Sequence, residues 1–201
     1  MSKKDVSVGL VAGLVIGVFL IPTAKNIGLF AKIPSPYLML LVVLPILACL
    51  GVAVVGFIGR WMPIFWQVAK FGLVGVMNTA VNLGIYNTLI AATGYNKGTP
   101  LMIIFLIAFV FAVINSYFWN KHWVFGGIQS KNREETLQFF AVTIVTAIVS
   151  SLIIKAVTEY IAPIGGLNAA QWANVANGFA IITSFIMNFF GYKLIVFRPR
   201  A

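Results

Sequence analysis

Four acidic residues, one cysteine and one histidine are all that this chain of 201 residues offers to the commonest kinds of protein chemistry. With Cys49 alone inside an apolar stretch, no internal disulfide can form, and the thiol reads as a small buried hydrophobe. His122 has no second histidine or acidic cluster near it, so a metal centre lacks its donors, and an interfacial ring beside Trp123 is the simpler reading. Also missing are a Ser, His and acid arrangement, a carboxylate pair at membrane depth, a Gly-rich phosphate loop followed by Lys and Ser or Thr, and any soluble nucleotide-binding domain. These absences argue against an enzyme, against ATP-driven work by this chain alone, and against a bound cofactor. A small multidrug or ion transporter usually needs an intramembrane acid, and here Glu159 stands only at the edge of an apolar run.

What the chain has instead is apolar surface. Hydrophobic residues make up 61% of it and charged residues 9%, and the mean hydropathy is +1.00, more than one soluble core of this size can hide. An all-α integral membrane protein follows. The basic excess, 14 Lys and Arg against 4 Asp and Glu, lies between apolar runs rather than on one face, so it reads as a topology signal and not as a nucleic-acid surface.

A hydrocarbon core about 30 Å thick takes about 20 residues of helix. Six runs qualify, over residues 6–21, 37–58, 68–92, 101–119, 137–158 and 171–194, the first of them short. Ser2-Lys3-Lys4-Asp5 before that first run also has the layout of a secretory signal peptide, with Pro22-Thr23-Ala24 near a cleavage point. Gly9, Gly13 and Gly17, however, repeat along one helical face, which suits a retained span packed closely on a neighbour. With both termini cytoplasmic, the inner side collects Lys3, Lys4, Arg60, Lys70, Lys121, Lys131, Arg133, Lys193, Arg198 and Arg200, against Lys25, Lys32, Lys97 and Lys155 outside.

Two blocks repeat. Setting Phe125 of NSYFWNKHWVF over Phe197 of IMNFFGYKLIVFR puts Lys121 over Lys193, Phe118 over Phe190, Ser116 over Asn188 and Val124 over Val196. Each block follows a helix that opens with a basic or amide residue and Phe, Lys70-Phe71 and Gln138-Phe139. The expected unit is therefore a helix pair duplicated in parallel, over about 66–126 and 137–198. That places a two-helix addition at 1–62 and a four-helix membrane domain at 63–201. An aromatic belt at the headgroup level accounts for the composition at Tyr117, Trp119, Trp123 and Tyr192, but not for the matched order.

Polar residues stripe the last four runs and are nearly absent from the first two. Asn78, Asn82 and Tyr86 follow at i, i+4, i+8; Asn115 and Ser116 end the fourth run; Thr143, Thr146 and Ser150 mark the fifth; Asn177, Ser184 and Asn188 mark the sixth. They can share one interior, either as interhelical glue or as the lining of a polar pathway formed by Asn78, Asn82, Asn115, Ser116 and Asn188. On the outer side Lys155 and Glu159 stand at i, i+4. An ion pair is the plain reading, and reception of a phosphate by Lys155 the functional one.

KFGLVGVMNT at 70–79, then NSYFWNKHWVF, then a second Phe-opened helix and NFFGYKLIVFR at 188–198, resembles the GtrA-like family of small polytopic membrane proteins. The resemblance covers about residues 66–198. It implies translocation of a polyprenyl-phosphate-linked sugar across the bacterial cytoplasmic (inner) membrane for surface polysaccharide synthesis. The alternative is a non-transporting adaptor that anchors a glycosyltransferase. Similar sequences often carry an acid where this one has Asn82, which puts an ion-coupled mechanism in doubt. For such a substrate Lys70, Asn120, Lys121, Lys193 and Arg198 are the candidate phosphate ligands at headgroup depth. Expected partners are membrane lipid, the lipid-linked sugar, a glycosyltransferase and a second copy of the chain, with no nucleic acid and no metal.

Overall fold

The computed structural model describes residues 3–61, 63–124 and 133–191. Among them are six helical rods: α1 (Lys3–Asn26), α2 (Pro36–Ile58), α3 (Pro63–Thr93), α4 (Gly98–Trp119, continued by a π turn over Asn120–Val124), α5 (Arg133–Tyr160) and α6 (Ala169–Gly191). No strand occurs among the described residues. Five helices are long and apolar enough to cross a membrane, over Asp5–Asn26, Pro36–Ile58, Ala69–Thr93, Gly98–Val124 and Leu137–Tyr160. The sixth expected crossing is the helix α6, whose described part does not join them. Gln171, Asn174, Asn177 and Asn188 dilute its apolar character.

The first helix corrects the expectation of a short run ending at Ile21. It passes through Pro22 and reaches Asn26, although proline removes a helical hydrogen bond and crowds the preceding turn. Side-chain bonds hold its last turn. Asn26 donates to Asn87 Oδ1 at 2.6 Å, and Asn87 Nδ2 donates to Thr23 Oγ1 at 3.3 Å. Beyond it the chain reverses, with Phe30 N donating to Ala24 O and Lys25 Nζ 5.2 Å above the Phe30 ring.

The described chain forms two compact units. One contains residues 1–88 and 110–128, the other residues 89–109 and 129–201. In the first unit α1 lies against α2 along the face carrying Gly9, Gly13 and Gly17. A Cβ added at Gly13 would stand 2.5 Å from Pro45 Cα, and one at Gly17 would strike Leu40 O, so only glycine permits this approach. The adjacent face of α1 builds the core: Val8, Ala12 and Ile16 are buried with Val74, Met77 and Ala80 of α3 and with Trp123 and Val124. Helix α1 thus also packs on the helix that opens the expected repeat.

In the second unit α5 and α6 run antiparallel, joined by a turn through Gly165 and Gly166. Asn168 and Gln171 start α6 with reciprocal bonds, Asn168 N to Gln171 Oε1 at 3.0 Å and Gln171 N to Asn168 Oδ1 at 2.9 Å. Trp172, buried one residue later, donates its indole N–H to Val157 O and Ile161 O and pins the two helix ends together.

Candidate functional site

Lys70 lies one turn after Trp66 on α3, and its Nζ stands 4.8 Å from the Trp66 ring centroid and 5.3 Å from that of Trp123. The two indoles meet edge to face at 6.4 Å. The first turn of α1 supplies the counter-charge: Asp5 Oδ1 is 3.4 Å from Lys70 Nζ and accepts the Trp123 indole N–H at 3.1 Å. Side-chain exposure is only 14% for Lys70 and 11% for Asp5, so the pair is largely withdrawn from water. Ammonium over an indole face and carboxylate at a helix N-terminus are each favourable placements.

Trp123 therefore departs from its expected place in an exposed aromatic belt. It is 5% exposed, because its indole N–H finds an acceptor inside the protein. The π turn at the end of α4 turns both Trp123 and Val124 inward. Beside the Lys70 cluster lies an open cleft of about 160 Å³, lined by Ala48, Gly51, Val52 and Val55 of α2, Trp66, Ala69, Lys70 and Leu73 of α3, and Trp123. The site thus combines one cation, two indoles and an apolar trough.

The polar stripes resolve into layers of two kinds. In the first unit Asn115 Nδ2 donates to Asn78 Oδ1 at 2.5 Å, and Trp119 Nε1 donates to Asn115 Oδ1 at 3.1 Å. Asn82 and Tyr86 are buried, as is Asn87, which binds Asn26 and Thr23 and donates to Leu83 O at 2.9 Å. In the second unit Ser150 and Ser184 hydroxyls meet at 2.8 Å, and Thr143 Oγ1 donates to Phe139 O at 2.8 Å. Among the described residues no hydrogen-bond partner reaches the buried Thr146 Oγ1 or Asn188 Oδ1.

Of the other candidates, Tyr117 is exposed, Ser116 and Trp119 are partly buried, and the His122 ring lies 4.9 Å from Phe118. Lys193, Arg198 and Tyr192 lie outside the described residues, as do the side chains of Asn120 and Lys121. Lys155 and Glu159 do not form the ion pair their spacing suggested; among the described residues the ion pair is Lys70 with Asp5. Glu159 instead approaches the start of α4, its Oε2 lying 3.5 Å from where a Cβ on Gly98 would be. Gly98 has φ +67 and its N–H donates to Thr158 Oγ1 at 3.1 Å, so the α5 end and the α4 start are tied together.

Asp5, Trp66, Thr23, Asn26 and Asn87 are the site and packing residues that sequence reasoning misses. The available signals are an acid among basic residues at the entry to a span, and an amide, Asn87, deep in an apolar run.

No curated protein and no solved structure matches this chain. The family model described as GtrA/DPMS, transmembrane domain, matches residues 70–197, more than half of the chain. It begins at Lys70 itself and takes in Asn78, Asn115, Thr146 and Asn188, while Asp5, Trp66 and the cleft wall on α2 lie before it. The chain is a multi-pass helical membrane protein of the GtrA/DPMS transmembrane-domain family.

Proposed function

We propose that this protein translocates a polyprenyl-phosphate-linked sugar across the cytoplasmic membrane, loading it from the cytoplasmic side, for surface polysaccharide or glycan synthesis. The observation that carries this reading is the Lys70 site. A molecule with a phosphate and a long apolar tail needs a cation at headgroup depth beside a trough that accepts hydrocarbon, and Lys70 stands beside such a trough. Family membership supports a role with lipid-linked sugars.

In this reading the phosphate competes with the Asp5 carboxylate for Lys70, and Trp66 and Trp123 keep the ammonium in place during the exchange. Lys121, Asn120, Lys193 and Arg198 are the further phosphate ligands proposed at the same side. The sugar, whose unpaired hydroxyls each cost several kcal/mol in hydrocarbon, follows polar side chains of the later helices. No covalent step is needed, and movement follows the lipid gradient, an ion gradient or a partner's work.

The test is transbilayer movement of polyprenyl-phosphate sugars in liposomes containing the purified full chain. The Asp5→Asn, Lys70→Gln double variant is its control, since it removes the charges together and leaves neither one unpaired. Movement by the wild type that the folded double variant loses is the expected result. Movement unaffected by that variant removes Lys70 from the mechanism. No movement with any of several sugars favours the adaptor that holds a glycosyltransferase at the membrane.

A further inference from the structure

The α5–α6 contact contains a polar layer that is incomplete. Its register follows from two contacts: the Ser150 and Ser184 hydroxyls are 2.8 Å apart, and a Cβ built at Gly191 would stand 2.5 Å from Val142 Cγ1. By that register Thr146, between these two levels and one turn from the serines on its helix, falls opposite Asn188 on the antiparallel partner. Residues four apart share a helix face, so both belong to the same facing surfaces as the serine pair.

Thr146 is 0% exposed, yet among the described residues its hydroxyl has no hydrogen-bond partner, and neither does the buried Asn188 Oδ1. A helical threonine always has a fallback in the carbonyl four residues back. Thr143 uses it with Phe139 O at 2.8 Å, and Thr158 with Ile154 O at 2.7 Å. Thr146 does not. Ser151, on the same helix, finds Ile148 O at 2.7 Å. Two uncommitted polar atoms in one layer each carry a desolvation cost of about 1–3 kcal/mol, which a ligand would remove.

The corresponding place in the first half of the family domain is filled. Asn78 lies as far after Lys70 as Thr146 lies after Gln138, and Asn78 Oδ1 is occupied by Asn115 Nδ2. On the α5–α6 side no amide among the described residues does this. We infer that the Thr146–Asn188 layer is a binding site for a neutral hydroxyl-bearing head group, namely a saccharide. One saccharide hydroxyl donates to Asn188 Oδ1, and Thr146 Oγ1 donates to or accepts from a saccharide oxygen. The absence of a formal charge in the pair selects a neutral group over a phosphate or an ammonium. Asn188 as a whole residue is partly exposed, which leaves the layer a route of entry along α6.

This inference rests on the substrate reading above and assigns the sugar end of that substrate. The experiment measures binding to the full chain in lipid nanodiscs of polyprenyl phosphate and of its glucosyl, mannosyl and arabinosyl derivatives. Wild type is compared with Thr146→Val, and with Ser151→Ala as a control whose hydroxyl is bonded within its own helix. The expected result is that at least one sugar-bearing lipid binds more tightly than the sugar-free lipid. Thr146→Val lowers that affinity about fivefold or more, leaves the sugar-free lipid unchanged and does not lower the melting temperature. Ser151→Ala leaves the sugar preference intact. Equal affinities of sugar-bearing and sugar-free lipid for the wild type overturn the saccharide site while the lipid reading survives. An unchanged sugar preference in Thr146→Val overturns it equally, including the case where the melting temperature falls, as loss of a structural water would cause. Failure of every polyprenyl phosphate lipid to bind overturns both readings.

Discussion

Two helix contacts in this protein carry polar residues at corresponding points of the sequence and treat them differently. Where α3 meets α4, the Asn78 carbonyl is taken by the Asn115 amide, and the Asn115 carbonyl in turn by the Trp119 indole N–H. Where α5 meets α6, Thr146 and Asn188 face one layer with a hydroxyl and a carbonyl that nothing among the described residues takes. A polar stripe in an apolar helix is therefore not one kind of feature. Closed layers fix helix positions, at a net value of about 1 kcal/mol each inside a membrane. An open layer costs stability unless a ligand completes it. The difference is made by single residues: the Asn115 amide crosses to Asn78 Oδ1, and among the described residues no donor crosses to Asn188 Oδ1 in the same way.

Perturbing the closed side produces the larger losses. Asp5→Ala leaves Lys70 without its counter-charge and Trp123 without its acceptor. Destabilisation of about 3 kcal/mol is expected, the lower end of the range for a buried pair because both ends keep some contact with water. Thermal unfolding in detergent measures it, and the Asp5→Asn, Lys70→Gln double variant recovers most of the loss. Asn87→Ala removes the side-chain bonds to Asn26, Thr23 and Leu83 at a fully buried position and orphans groups on α1. A loss of about 2 kcal/mol is expected, read from the same unfolding curves. Asn115→Leu opens the Asn78 layer and costs about 1 kcal/mol. Adding Asn78→Leu costs less than a second such increment, because it removes the orphaned carbonyl; a double-mutant cycle reads the coupling. Thr146→Val is expected to be neutral or slightly stabilising, since it deletes a hydroxyl with no partner, and equal destabilisation by Thr146→Val and Asn115→Leu would erase the distinction between the layers.

Much of the architecture is legible in composition and run length, because hydrocarbon thickness and helix rise leave few choices. The five helices long and apolar enough to cross a membrane overlap the expected runs, with α1 extending five residues past its own. The glycine face of α1 is legible too, since small residues at four-residue spacing have few other uses on an apolar helix, and Gly13 and Gly17 do meet α2 backbone. The continuation of α1 through Pro22 is not legible, because the bonds that hold its last turn reach Asn87, more than 60 positions away in sequence. Lys70 stands out in the sequence as a chemically notable residue, but its partner does not, since Asp5 reaches it only through the packing of α1 on α3. Trp123 looks like a belt residue for the same reason: its surroundings are set by a π turn and a distant carboxylate, neither of which leaves a local signal. Lys155 and Glu159 have ideal spacing and still do not pair, which shows how little i, i+4 geometry alone constrains two charges.

The contrast between the layers is tested most directly by the rate of lipid-linked sugar movement per folded molecule in liposomes, measured side by side for wild type, Thr146→Val and Asn115→Leu. Thr146→Val is expected to keep the wild-type melting temperature and lose most of its rate, whereas Asn115→Leu melts earlier and its folded fraction moves sugar at close to the wild-type rate. Full activity in Thr146→Val together with a dead but folded Asn115→Leu would contradict it, and would move the polar pathway to the α3–α4 contact.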